Sequence, residues 1–203
     1  MSVPRPLRLG ILGGTFDPVH IGHLVTAVDV RHALGLDRVL LVVANEPWQK
    51  VGSRAVTPAA DRLAVVEAAV AGVPGLEASA VEIERGGPTY TADTLATLAE
   101  RHPGVDLHLV LGADVAAELG TWVRIEEVRA RCRLVLVGRP GFASPAERLR
   151  AEGWRVESVA VPALEVSSTG IRERVATGAP IDFLVPTGAI RVIGERGLYA
   201  ARR

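Results

Sequence analysis

The sequence predicts an α/β protein: an open, mainly parallel sheet with helices on both faces. Three observations carry that expectation. Short apolar runs alternate along the chain with segments of helical periodicity. The first three segments read strand, helix, strand, the order of a right-handed parallel crossover. The motifs rich in glycine, hydroxyl and charged side chains fall just after the apolar runs, where ligands of such sheets bind. Together these describe a Rossmann-like arrangement.

Leu7, Leu9, Ile11 and Leu12 form an apolar run with no charge after Arg8, a buried first strand. Leu24, Val25, Val28, Val30 and Leu34 then recur near helical spacing, and Gly35 is a helix stop. Arg38 to Ala44, rich in β-branched residues, is the second strand. After a loop from Asn45 to Val56, Thr57 is placed to cap a helix with Pro58 in its first position and Leu63, Val65, Val66 and Val70 on its apolar face. Leu76 to Ile83 reads as a third strand, and Thr91 or Asp93 starts a helix carrying Thr94, Leu95 and Leu98. Leu107 to Leu111 is the fourth strand, two short helical pieces flank Gly120-Thr121-Trp122, and Leu134 to Val137 is the fifth strand. Val156 to Val161 is a short sixth strand, a helix opens near Ser167 and runs to about Thr177, and Pro186 to Glu195 is a last helix.

The 203 residues fit a single domain, with no repeat, low-complexity stretch or linker. Basic and acidic residues balance at 23 each, which argues against a polyanion binder and leaves a small locally positive pocket open. No nucleic-acid partner is therefore expected. Cys132 is the one cysteine, so no disulfide framework exists within the chain and a small core strand residue is its simplest reading. The Met-Ser-Val-Pro-Arg-Pro start has no apolar signal core and no apolar run reaches spanning length. No membrane association is expected, and the expected compartment is the cytoplasm. A homo-oligomeric state is compatible with the sequence.

The most informative stretch is Gly13-Gly14-Thr15-Phe16-Asp17-Pro18-Val19-His20-Ile21-Gly22-His23, a strand-to-helix turn. Gly13 and Gly14 lack a Cβ, so the backbone is free to enter left-handed regions and approach a ligand closely. The turn feeds a helix N-terminus, which favours an anion. His20 and His23 share a helical face about 5–6 Å apart between Cβ atoms, and Gly22 between them removes bulk where a phosphate would have to come in. A neutral imidazole is an unusual plain anion ligand; a phosphate beside it favours the charged form, which suits phosphoryl or nucleotidyl chemistry. The competing readings are a tight turn with capping histidines, with Asp17 a turn aspartate beside Pro18, and a metal pair, which finds no third ligand at suitable spacing nearby. Far along the chain, Ser167, Ser168 and Thr169 stand at a helix start with Arg172 one turn on. They read either as a helix cap or as an anion site in which arginine binds phosphate bidentately.

The string Gly-Gly-Thr-Phe-Asp-Pro-x-His-x-Gly-His resembles the signature of bacterial nicotinate-nucleotide adenylyltransferases, and Ser-Ser-Thr-x-Ile-Arg is similar to the C-terminal signature of the same nucleotidyltransferase superfamily. The resemblance implies that His20, His23, Lys50, Ser168, Thr169 and Arg172 hold the ATP triphosphate, with His20, His23, Lys50 and Arg172 catalytic and Gly13, Gly14, Thr15, Phe16, Gly112 and Asp114 also at the ATP site. Where many relatives have Pro-Pro-His-Lys after the second strand, this chain has Asn45-Glu46-Pro47-Trp48-Gln49-Lys50, keeping the lysine and replacing the histidine. Gly87 to Leu95 resembles the segment where a hydroxyl and loop amides meet a pyridine carboxylate, implicating Thr89 and Tyr90. Leu111-Gly112-Ala113-Asp114 with Thr121-Trp122 resembles the segment supplying a ribose-binding carboxylate and an indole stacked on the ring. Val123 stands where relatives often have histidine. Trp122 as core, Thr89 and Tyr90 as ordinary turn residues, Asp114 as a helix cap and Lys50 as a solvated loop residue remain the alternatives.

The implied reaction is adenylyl transfer from ATP to nicotinate mononucleotide, with Mg²⁺ riding on the phosphates rather than in a protein cage. The rival readings are a related transferase acting on nicotinamide mononucleotide or phosphopantetheine, and a nucleotide sensor without turnover. The Thr89 and Trp122 segments argue against the first, the intact His20, His23 and Arg172 against the second.

Overall fold

A computed structural model of the chain describes residues 5–46, 56–138 and 144–201. Six strands, β1 (Arg8–Gly14), β2 (Arg38–Val43), β3 (Leu76–Ser79), β4 (Asp106–Gly112), β5 (Cys132–Gly138) and β6 (Val156–Ala160), line up in the order β3-β2-β1-β4-β5-β6. The pairs β1–β4, β4–β5 and β5–β6 are parallel. The helices are α1 (Ile21–Leu34), α2 (Ala59–Val70), α3 (Val81–Arg85), α4 (Thr91–Arg101), α5 (Ala113–Ala117), α6 (Ile125–Arg131), α7 (Ala146–Ala151), α8 (Ser168–Ala176) and α9 (Thr187–Glu195). The expected Rossmann-like α/β class is the observed one. The order of strands reverses its direction of growth at β1, whose carboxyl end runs into the Gly13–His23 turn. Among the described residues no helix is long and apolar enough to cross a membrane.

The described residues fall into two compact units. The first draws on Met1–Leu12, Thr26–Leu40 and Tyr90–Pro162. Leu107 to Leu111 of β4 are buried without interruption, as are Leu134 to Leu136 of β5, the pattern of strands covered on both faces. Ala27 and Val30 of α1, Leu95 and Leu98 of α4 and Leu149 of α7 belong to the same buried set. Gly35 takes φ 59° and closes α1, its neighbour Leu36 donating to the Arg31 carbonyl. Cys132 is buried, donates its thiol to the Val128 carbonyl and has its pKa pushed up to about 12 by that burial, in line with a core role.

The second unit draws on Gly13–Val25, Leu41–Thr89 and Ala163–Arg203. Val65, Val66 and Ala69 of α2 and Ala189 and Ile193 of α9 are buried in it, alongside Leu41 to Val43 of β2 and Val81 of α3. Helix α9 approaches α2 closely enough that a Cβ on Gly188 would lie 2.7 Å from the Ala68 carbonyl oxygen.

Three local expectations are corrected. The third strand stops at Ser79, and Val81–Arg85 is a helix. The Ser79 hydroxyl accepts from the Val81 amide and turns the chain there, and Glu82-Ile83-Glu84-Arg85 offers little to a pleated strand. Thr57 does not cap α2. Pro58 holds the cap position without a side-chain bond, and the Thr57 carbonyl serves Arg62 instead. Helix α7 is absent from the sequence reading because only Ala146 and Leu149 of its six residues are buried, too few to make a periodic pattern.

Replacing Gly188 by alanine should drive a methyl group into the α2 backbone and destabilise the protein by roughly 1–3 kcal/mol. Urea denaturation checks this: the midpoint should fall, and an unchanged midpoint would mean that the two helices separate freely.

Candidate active site

The turn after β1 is shaped by a different residue from the one expected. Neither Gly13 nor Gly14 is left-handed; the residue with positive φ is Phe16, at 49°. Gly14 is required for space, since a Cβ there would sit 2.8 Å from the Phe16 ring, which folds back over it, while Gly13 has open space on that side. Gly22 likewise leaves room for protein: a Cβ would lie 3.1 Å from Val166 and 3.2 Å from the His20 ring. The bulk it avoids is that of its own unit rather than of a ligand.

What holds the turn is a series of bonds to its carbonyls. Gly14 accepts from the Ala44 amide at 3.0 Å, Thr15 from Arg62 Nη1 at 2.7 Å, Asp17 from Arg172 Nη1 at 2.7 Å and Pro18 from Ser168 Oγ at 2.8 Å. Within a trans peptide plane the C=O and the following N–H point in opposite directions. Holding the Gly14 and Thr15 carbonyls therefore turns the Thr15 and Phe16 amides the other way, away from these donors.

The two histidines close the turn. Their rings stack at 3.7 Å between centroids, tilted by 27°, and Phe16 meets His23 edge-on at 5.0 Å. The His20 amide donates to His23 Nδ1 at 3.2 Å. In its neutral form His23 therefore carries its proton on Nε2 and presents a donor at the far edge of the ring. His20 is 8% exposed, its Nδ1 is buried without a hydrogen-bond partner, and burial lowers its pKa to about 4. Before ligand arrives His20 is neutral at pH 7, and a triphosphate beside it would pull its proton affinity upward.

The second sequence motif converges on this turn. Ser167 is the N-cap of α8, its hydroxyl accepting from the Gly170 amide at 3.1 Å. Ser168 and Arg172 reach the turn carbonyls just described, and Arg172 Nη2 also donates to Thr169 Oγ1 at 3.1 Å. The cap reading holds for Ser167, whereas the Ser168 hydroxyl is given to the Pro18 carbonyl. Ile21, the first residue of α1, donates its amide to Leu184, which fixes the other end of the turn.

In the same unit the Asn45 side chain donates to the Gly87 carbonyl at 3.0 Å, and the Thr89 amide donates to the Glu46 carbonyl at 3.3 Å. The Thr89 hydroxyl is buried with no hydrogen-bond partner, so a polar ligand atom there would satisfy a group that costs about 1–3 kcal/mol to leave unpaired. Lys50 lies outside the described residues.

The remaining expected positions belong to the first unit. A Cβ on Gly112 would come within 2.5 Å of the Asp114 carboxylate, which curls over the end of β4 and is exposed. Trp122 is half-buried rather than a core residue, its amide bonded to the Leu119 carbonyl, and Val123 beside it is exposed. Tyr90 precedes α4, and its carbonyl accepts from the Thr94 hydroxyl at 3.3 Å.

Sequence reasoning overlooked Arg62, 1% exposed, whose guanidinium binds four backbone carbonyls. The signal was present: an arginine three and four residues before Val65 and Val66 falls on the face of α2 that must be buried.

The depressed His20 pKa has a sign that is open to test. The unfolded chain binds the proton near pH 6.5 and the folded chain only near 4. The stability His20 contributes is thus complete above 6.5 and lost as pH falls toward 4. Proton NMR titration should give a His20 midpoint near 4 without ligand and a higher one with a non-hydrolysable ATP analogue. A ligand-free midpoint near 6.5 would contradict the buried, neutral ring.

The cytidylyltransferase-like family model matches residues 11–174. Similar proteins named probable nicotinate-nucleotide adenylyltransferase include that of Corynebacterium kroppenstedtii, 46% identical over 95% of this chain and 90% of its own length. That of Saccharopolyspora erythraea is 43% identical over 96% of this chain and 91% of its own. Among solved structures, Plasmodium falciparum nicotinic acid mononucleotide adenylyltransferase complexed with NaAD shares the fold, with TM-score 0.75 at 18% identity over 95% of this chain and 97% of that one. With a family model over most of its length and near-full-length relatives above 40% identity, the chain belongs to the nicotinate-nucleotide adenylyltransferase family.

Proposed function

We propose that the protein transfers the adenylyl group of ATP to nicotinate mononucleotide, giving deamido-NAD and pyrophosphate. The observation that carries this reading is the carbonyl-anchored turn with its stacked histidines and Arg172, a donor-rich site for phosphate. The names of the relatives and the dinucleotide in the Plasmodium complex support it.

The mononucleotide phosphate attacks the α-phosphorus in line, pyrophosphate leaves, and no covalent intermediate with the protein forms. The protein's work is positioning and stabilisation of charge. The Thr15 and Phe16 amides and the Arg172 guanidinium meet phosphate oxygens, and His23 donates from Nε2. His20 gains proton affinity as negative charge builds beside it. Lys50 adds a further cation to the triphosphate, and Ser168 and Thr169 complete the site. The Thr89 hydroxyl meets the pyridine carboxylate, with Tyr90 in the adjoining segment. By the resemblance, Trp122 serves the pyridine ring, and Asp114 with Gly112 the nucleotide ribose.

The donors of this turn are amides, imidazoles and guanidinium, which suit phosphate oxygens. Mg²⁺ would be held through the bound triphosphate rather than by these residues, and would supply charge neutralisation across the phosphates.

Pyrophosphate release measured in parallel with nicotinate mononucleotide, nicotinamide mononucleotide and phosphopantetheine tests the reaction. The first acceptor should be strongly preferred; turnover with another alone would redirect the substrate assignment, and none at all would favour a nucleotide sensor. His20→Ala and His23→Ala should each lower kcat by roughly 10²-fold or more, the size of a lost transition-state donor, and near-normal kcat in both would remove them from the chemistry. Trp122→Ala should raise KM for the mononucleotide and leave ATP affinity alone; an unchanged KM would deny it the ring contact.

A further inference from the structure

We propose that Arg62 is a positioning residue that couples the phosphate-binding turn to the Thr89 loop. The proposal rests on the adenylyl-transfer reading for the identity of the second ligand, and on geometry for the rest. Arg62 is buried on the inner face of α2. Its Nε donates to the Thr57 carbonyl at 2.7 Å and Nη1 to Thr15 at 2.7 Å. Nη2 is shared between Ala44 at 2.7 Å and Asn45 at 3.1 Å.

These acceptors have a pattern. Thr15 is in the turn whose amides face the phosphates. Ala44 and Asn45 follow β2, and Thr57 precedes α2. Asn45 in turn donates its side-chain amide to Gly87, two residues before the unpaired Thr89 hydroxyl. One planar guanidinium thus bonds both the turn that receives ATP and Asn45, whose side chain holds the loop assigned to the pyridine carboxylate. Ala44 closes the circuit, because its own amide holds Gly14. A fork of three nitrogens in one plane can serve these separated carbonyls together, and a single ammonium cannot. Reaction in line between two bound molecules depends on their relative placement, so a rigid tie between their binding segments is where such a residue acts.

The test compares Arg62→Lys with Val66→Ala, a core truncation on the same helix whose apolar side chain can hydrogen-bond neither loop, at a temperature where both are folded. Dissociation constants are read for a non-hydrolysable ATP analogue and for nicotinate mononucleotide, beside kcat. Arg62→Lys should weaken both ligands by roughly 10-fold, the scale of a misplaced site, while Val66→Ala leaves both affinities as in the wild type. Unchanged affinities in Arg62→Lys, or equal losses in Val66→Ala, would overturn the proposal. Asn45→Ala decides the matter if Arg62→Lys does not fold. It should weaken the mononucleotide and spare the ATP analogue, and failure to do so breaks the proposed link. If wild-type protein binds the analogue but uses none of the pyridine mononucleotides, the functional reading fails, and the analogue's affinity for Arg62→Lys still reports on the tie to Thr15.

Discussion

The rest of this site depends on one constraint: the carbonyls of the Gly13–His23 turn are held from behind. A peptide turn presents both signs of charge, and an anion gains nothing from one whose C=O and N–H groups alternate outward. Here Gly14, Thr15, Asp17 and Pro18 each give their carbonyl to a donor outside the turn, two of them to arginines. The turn is left with its positive ends unopposed by these carbonyls, which is what the proposed function requires. Motifs about 150 residues apart are joined by the same logic, since Ser168 and Arg172 reach the turn through its backbone.

The histidines fit the same economy of charge. In the resting protein the site need not hold a buried imidazolium, because His20 is neutral and stacked on His23. On the proposed function, the positive charge would be acquired only when the triphosphate supplies its counter-charge, so the cost of burying an unpaired ion would be avoided. The proton on His23 is placed by the His20 amide, so the two rings act as one unit.

Much of this was legible in the sequence because it is periodic or strung together in short motifs. The Leu107–Leu111 run, apolar but for His108, reads as a strand buried on both faces, and the Gly13–His23 string announced a turn after the first strand. What escaped was three-dimensional. Gly14 and Gly22 looked like room for a ligand and are room for the rings of Phe16 and His20. The strain sits on Phe16, where no propensity rule would place it. Ser79 ends β3 through a local hydroxyl bond that hydrophobic alternation across Val81 and Ile83 conceals. Arg62 was readable as an arginine on an apolar face, but its acceptors are backbone carbonyls, which leave no trace in side-chain identity.

If carbonyl anchoring aims the Thr15 and Phe16 amides at phosphate, amide NMR of the full chain with and without a non-hydrolysable ATP analogue should register it. Large downfield shifts and slowed hydrogen exchange at Thr15 and Phe16 are expected on saturation. Saturable binding that leaves both amides unmoved would contradict it.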